Sequence, residues 1–248
     1  MMTQVRIGTS GWHYRHWLGS FYPEKLPTSK MFDCYQQHFD TVELNNSFYR
    51  LPDVKTFQCW RDNAPRNFLF AVKASRFITH NKKLKDPKNA LDNFIPRAEA
   101  LGEKLGPILF QLPPKWSINL ERLEEFLSVL PRYHQYTFEF REPTWNTEKT
   151  YALLRKYNVA YCIHELAGFH TPIIVTADFT YIRLHGPGGK YQGSYDDVTL
   201  RQWAQRITKW QRELKNIYVY FDNDQAAYAV HNALRLRTLV NENAVSAA

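Results

Sequence analysis

Cysteine is scarce in this chain. Cys34, Cys59 and Cys162 are the three in 248 residues, far apart and without a CxxC pair. An odd, dispersed set argues against a disulfide framework and against a cysteine-based zinc site, and agrees with reduced thiols. The opening "MMTQVRIGTS" has no apolar core of a secretory signal, and no run approaches the roughly 18 apolar residues of a membrane span. The expectation is a cytoplasmic protein with no membrane partner. Low-complexity linkers and internal repeats are missing. So are the spacings of a helix-turn-helix, a zinc finger, an RNA-recognition motif and the GxxxxGK[ST] phosphate loop.

What is present points to a packed enzyme-sized domain. Hydrophobic residues make up 44% and aromatics 15%, enough for a sizeable core. Lysine and arginine number 32 against 24 acidic residues, a net charge of +8 that favours anionic partners. Eight short apolar or alternating runs recur: "QVRIG" (4–8), "DTVELN" (40–45), "NFLFAVK" (67–73), "PILFQL" (107–112), "QYTFEFR" (135–141), "VAYCIH" (159–164), "FTYIRLH" (179–185) and "NIYVYFD" (216–222). Helical patterns separate them. The clearest is "NLERLEEFLSVLP", whose Leu120, Leu123, Phe126, Leu127 and Leu130 mark one apolar face before Pro131 stops it. Asn223 or Asp224 is a cap candidate for the last helix. Eightfold strand–helix alternation predicts an α/β fold, a TIM-like (β/α)8 barrel, for which about 250 residues is the usual size. One domain is expected over 1–240, with a frayed tail at 241–248.

Strand side chains alternate between two faces. With the greasy parity turned toward the helices, the other parity lines the lumen. "FEFR" then sends Phe138 and Phe140 outward, and Glu139 and Arg141 inward. The same rule turns Glu43, Asn45, Lys73, Gln111, Arg183, His185, Tyr218, Tyr220 and Asp222 inward, and one register adds Cys162 and His164. Burying charge is costly unless it is paired. Three inward cations (Lys73, Arg141, Arg183) match three inward anions (Glu43, Glu139, Asp222). Barrel enzymes build their sites at the C-terminal ends of the strands.

The loops that follow the strands carry further candidates. After the first strand, "GTSGWHYRHWLGSFYP" holds Trp12, Tyr14, Trp17, Phe21 and Tyr22, a set that could stack on a sugar or base, or plug the barrel. After the third, "ASRFITHNKKLKDPKN" brings Arg76, His80, Lys82, Lys83, Lys85 and Lys88, a basic stretch suited to drawing in anions. After the seventh, "HGPGGKYQGSYDD" is glycine-rich from Gly186 to Gly193 and includes Tyr195. Backbone N–H groups in such a loop suit phosphate, and a mobile lid is the other reading. Trp60, Trp203 and Trp210 read as packing anchors, and His38, His134 and His231 as structural or surface histidines.

"GTSGWHYRHWLGSFYP", "VELNNSFYRLP", "FLFAVKASRFITH", "LGPILFQLPPKW", "FEFREPTW", "YIRLHGPGGKYQGSY" and "YVYFDND", in this order, resemble the signature blocks of the YecE-like family, domain of unknown function 72. The resemblance covers nearly the whole chain. It implies a (β/α)8 barrel distantly similar to sugar isomerases and to a class of apurinic endonucleases, in a family whose activity is not established. The family's typical positions fall here on Trp12, Tyr14, Glu43, Asn45, Phe48, Tyr49, Lys73, His80, Gln111, Glu139, Arg141, Trp145, His185, Gly186, Tyr195 and Asn223.

The expected function is acid–base chemistry on a small anionic or polyhydroxylated substrate such as a sugar phosphate, of isomerase or lyase type. Glu43 and Glu139 form the candidate carboxylate pair. Arg141 would grip an anion or hold a carboxylate ionised, Lys73 would stabilise an oxyanion or act as a base, and His185 would shuttle protons. Trp12, Tyr14, Asn45, Tyr49, His80, Gln111, Trp145, Gly186, Tyr195, Asp222 and Asn223 are the candidate binding residues. No cofactor is expected. A divalent metal on Glu43, Glu139, His185 and Asp222 is the less favoured arrangement, because Lys73, Arg141 and Arg183 would crowd a cation. The alternatives are a nucleic-acid-binding or endonuclease-like repair protein using the basic loop, and a non-catalytic ligand-binding protein.

Overall fold

Strands and helices alternate along the whole of the computed structural model, which describes residues 3–246. The strands are β1 (Gln4–Thr9), β2 (Thr41–Leu44), β3 (Leu69–Lys73), β4 (Leu105–Gln111), β5 (Tyr136–Glu139), β6 (Ala160–Leu166), β7 (Phe169–His170), β8 (Phe179–Leu184) and β9 (Asn216–Phe221). The α-helices are α1 (Met31–Tyr35), α2 (Asn46–Tyr49), α3 (Val54–Asn63), α4 (Pro87–Ala98), α5 (Leu120–Ser128), α6 (Glu148–Lys156), α7 (Asp197–Trp210) and α8 (Tyr228–Ser246). All but β7 belong to the parallel strand series of a TIM-like (β/α)8 barrel, as expected. β7 is an addition. It pairs antiparallel with the end of β6 across a two-residue turn in which Ala167 and Gly168 both have positive φ, 50° and 79°. That is the turn geometry that suits a tight hairpin, and two residues are too few to leave a periodic signal. Residues 241–246, expected to fray, continue α8. Ala247 and Ala248 lie outside the described residues. No described helix is long and apolar enough to cross a membrane.

Two compact units make up the chain. The first comprises residues 3–42, 163–171 and 178–246; the second comprises 43–162 and 172–177. In the second unit β3, β4 and β5 pair in parallel, and β5 pairs with the start of β6. Gln111 lies beside Glu139 in the β4–β5 register. The greasy parity faces helix, as the alternation implied: Phe110 and Phe138 meet Phe126 of α5, with ring centroids 5.0 and 6.0 Å apart. Leu123, Phe126 and Leu127 form the buried face of that helix, and Asn119 caps it by accepting from Arg122 N at 2.9 Å. Removing one such phenyl ring, as in Phe126→Ala, costs about 3–5 kcal/mol in a packed core.

In the first unit β1, β9 and β8 run parallel, with Ile7 beside Val219 and Val219 beside Ile182. Their other parity is polar-aromatic. Tyr181 packs on Tyr220 at 5.2 Å, and the Tyr220 hydroxyl shares a 2.7 Å hydrogen bond with Thr41 Oγ1. Gly8 is required there, since a Cβ on it would stand 2.5 Å from the Thr41 carbonyl oxygen. Asp196 caps helix α7, its carboxylate accepting from Thr199 N at 2.8 Å, and the helix buries Leu200, Trp203, Ile207 and Trp210. Trp203 and Trp210 are the packing anchors expected of them.

Candidate functional site

The C-terminal end of β3 opens a cationic cluster in the second unit. Lys73 is the last residue of β3 and is nearly buried. Its ammonium lies 4.2 Å from the centre of the Phe48 ring, a cation–π contact. Phe48 also meets His80 edge-to-face at 5.0 Å. Phe48 reaches this position because α2 is pinned to β3: the buried Ser47 hydroxyl donates to the Lys73 carbonyl oxygen at 2.6 Å. His80 sits in a π-helical turn, Phe77–Asn81, with Thr79 Oγ1 2.9 Å from its Nδ1.

Burial pushes the His80 imidazole down to a pKa of about 4, helped by the charges of Lys73, Arg76 and Arg141; Glu139 acts the other way. His80 is therefore neutral at pH 7. These five side chains share one electrostatic neighbourhood, although Lys73, Arg76, His80, Glu139 and Arg141 come from two separate stretches of sequence. Glu139 is fully buried at the end of β5 and forms an ion pair with Arg141 Nε. Glu43 is fully buried on β2, and Gln111 nearly so on β4. Asn45 follows β2 directly, and its buried Oδ1 has no hydrogen-bond partner among the described residues. A buried amide oxygen left so calls for a donor.

The loop after His80 is anchored to the turn before it. Leu84 is buried and its N–H bonds the Ile78 carbonyl oxygen at 3.0 Å. Lys83, Leu84 and Asp86 all take left-handed φ, 47°, 63° and 46°, each at about 1–2 kcal/mol for a residue other than glycine. Strain of this kind persists only where surrounding contacts enforce it. On the other side of α2, Tyr49 is 73% exposed, its ring 5.1 Å from Phe48. It lines a cleft of about 630 Å³ with Arg50, Pro52, Asp53, Thr56 and Arg97. Trp145, a candidate binding residue, is instead fully buried: it stacks on Phe140 at 4.9 Å and donates its indole N–H to the Trp116 carbonyl at 2.7 Å.

The first unit gathers a second polar cluster. Buried Arg183 donates to Asp222 Oδ2 at 3.2 Å and lies 2.9 Å from His185 Nε2, while His185 Nδ1 is 2.9 Å from the Glu165 carbonyl oxygen. His164, also buried, has its ring 6.0 Å from that of His185. The glycine-rich loop behind them is folded on itself. Gly186 has φ of 108°, and a Cβ there would meet the Gln192 carbonyl oxygen at 2.2 Å. Its N–H donates to the buried Tyr195 hydroxyl at 3.1 Å, and Gln192 N donates to Gly189 O at 3.2 Å. Those donors are spent internally rather than presented to a phosphate. Asn223 Nδ2 donates to Gly193 O at 2.9 Å and to Asn232 Oδ1 at 2.8 Å, tying the β9 loop to this one.

The aromatic set after β1 packs rather than opens. Trp17 and Tyr22 are buried, with ring centroids 5.6 Å apart, and Trp12 lies against Phe32 at 5.0 Å. The Tyr14 hydroxyl donates to Ser10 O at 2.6 Å. Asp224, read as a helix cap, makes no cap bond. Its Oδ1 accepts the Trp17 indole N–H at 2.5 Å and its Oδ2 lies 3.0 Å from His16 Nε2. Burial raises this carboxyl to a pKa of about 6, against the lowering by Trp17 and His16. Sequence reading did not single out Asp224, His16 or Glu165 as functional; each sits at a strand end or in a loop, where no periodicity marks it. Among the described residues no three His, Cys, Asp or Glu side chains are grouped as a metal ion would require.

Comparison with known proteins agrees with this architecture. A DUF72 family protein from Thermotoga maritima superposes with a TM-score of 0.87 at 30% identity, covering 96% of this chain and 99% of that one. A DUF72 family protein from Enterococcus faecalis superposes at 0.81 and 17% identity, with 96% of each chain covered. In sequence, UPF0759 protein YunF of Bacillus subtilis is 23% identical over 96% of this chain and 95% of its own length. The family model described as "Protein of unknown function DUF72" matches residues 6–248, and the chain belongs to that family.

Proposed function

We propose that this protein is an acid–base enzyme acting on a small, anionic, polyhydroxylated substrate such as a sugar phosphate. The observation that carries the reading is His80, kept neutral to about pH 4 by burial and by three neighbouring cations. Burial is the larger cause and the three positive charges add to it, so the same neighbourhood favours an anion. Lys73, Arg76 and Arg141 supply the charge for a phosphate or carboxylate, Arg141 with the planar fork that matches such groups. A neutral imidazole beside them can donate to a carbonyl oxygen without losing its proton, and so polarise it. Glu139 stands within the same field as the base that takes a proton from the adjacent carbon. Substrate hydroxyls are suitable donors for the buried Asn45 Oδ1. Isomerisation and lyase-type cleavage both begin with that proton abstraction.

Incubation with phosphorylated aldoses and ketoses in D2O, followed by NMR, tests the proposal. Deuterium is expected at the carbon next to the carbonyl, at a rate that falls by about 10²–10⁴ in Glu139→Gln. Binding without exchange would make the protein a receptor for the anion. Failure of any sugar phosphate or inorganic phosphate to bind would remove the reading altogether.

A further inference from the structure

We infer that the Tyr49 cleft takes the planar part of the ligand whose anion is held by Lys73, Arg76 and Arg141. The ligand class is then a phosphorylated nucleoside, free or at the end of an oligonucleotide. The inference rests on the anion-binding role proposed above and extends it to the other side of α2. The helix is four residues long and joins both places. Ser47 is bonded to the Lys73 carbonyl, Phe48 covers Lys73 and His80, and Tyr49, the next residue, turns its ring outward. The Phe48 ring touches both Lys73 and Tyr49. The contacts of 4.2 Å from Lys73 to Phe48 and 5.1 Å from Phe48 to Tyr49 put the ammonium within about 9 Å of the Tyr49 ring. A pentose with a substituent at either end bridges such a distance.

The cleft suits a planar, electron-rich partner. At about 630 Å³ it falls in the range of small-molecule sites. An aromatic ring 73% exposed at its rim offers a stacking face. Arg50 and Arg97 are among its lining residues, and Arg97 also donates to the Pro52 carbonyl oxygen at 3.4 Å; guanidinium groups stack on planar partners. Its one acidic group, Asp53, is engaged in capping α3 through Thr56 N at 2.8 Å. An unsubstituted sugar phosphate would leave this surface unused.

Calorimetric titration of the full chain tests this with adenosine 5′-monophosphate, ribose 5-phosphate and a 5′-phosphorylated single strand of about ten nucleotides. The nucleotide should bind about tenfold more tightly than ribose 5-phosphate, the advantage of one base–aromatic stack. Tyr49→Ala should abolish that advantage; Tyr49→Phe should retain it. An oligonucleotide that binds more tightly than the mononucleotide, with affinity falling steeply in salt, identifies a strand end as the source. Equal affinities identify a free nucleotide. Equal binding of adenosine 5′-monophosphate and ribose 5-phosphate, or an advantage that survives in Tyr49→Ala, would overturn the inference while leaving the anion site standing. Absence of ribose 5-phosphate binding, or binding indifferent to Lys73→Met, would overturn both.

Discussion

The two units handle charge differently. The second carries nineteen basic against thirteen acidic residues, a net of +6, while the first carries thirteen against eleven, a net of +2. The same contrast recurs at the scale of single groups. In the first unit Arg183 is balanced by Asp222 and backed by His185, which is itself held by the Glu165 carbonyl. In the second, three cations and one anion bear on His80. A buried ion whose partners are complete belongs to the architecture. Lys73 and Arg141 have partners of their own, Phe48 and Glu139, and the contrast lies in the like charge gathered around one histidine.

The largest effect that tests this contrast is on stability. Arg183→Leu leaves Asp222 and His185 without their guanidinium and should cost about 3–5 kcal/mol in denaturant unfolding. Lys73→Met keeps an apolar side chain against Phe48 in place of the stem it removes and should cost less than Arg183→Leu. Equal losses in the two variants would break the distinction. A smaller effect is expected on His80. NMR titration of its imidazole should show the pKa of about 4 moving upward in Lys73→Met, since Lys73 is the foremost of the depressing charges. It should stay below the ordinary value of about 6.5, because burial, the larger cause, remains. An unmoved pKa would place Lys73 outside the cluster.

The smallest effect concerns Asp224. Its carboxyl titrates near 6 in the folded chain and near 3.8 when unfolded. The folded state therefore binds the proton more tightly, and this group's contribution to stability is present below about pH 3.8 and lost as pH rises through about 6. Trp17, bonded to the same carboxylate, should report the titration as a fluorescence step near pH 6. Asp224→Asn keeps an acceptor for the indole and should remove the step. A step that persists in the variant would belong to another group.

Much of this was readable in the chain. "FEFR" announced a strand with Glu139 and Arg141 on one face because strand periodicity is strict, and the ion pair between them is found. The eight parallel strands followed from the same rule. Loops obey no such period. Trp145 fell in a motif that the resemblance marked for binding, but it is consumed by Phe140 and Trp116. Trp17 and Tyr22 were as easily a plug as a platform, and only packing decided between the two. His80 was visible as a basic-loop residue, yet its neutrality depends on charges brought from Lys73 and Arg141, which are distant in sequence. Asp224 looked like one more helix cap, and its true partners sit more than 200 residues away.

The hydrogen bond from Ser47 to the Lys73 carbonyl has a mechanical consequence. It ties an ammonium-bearing strand end to the short helix that carries Tyr49, and so fixes one point of the interval between them. For the ligand inferred above, that interval sets a length: a molecule one bond too short or too long would forfeit one of its two anchors, however well it fits the other.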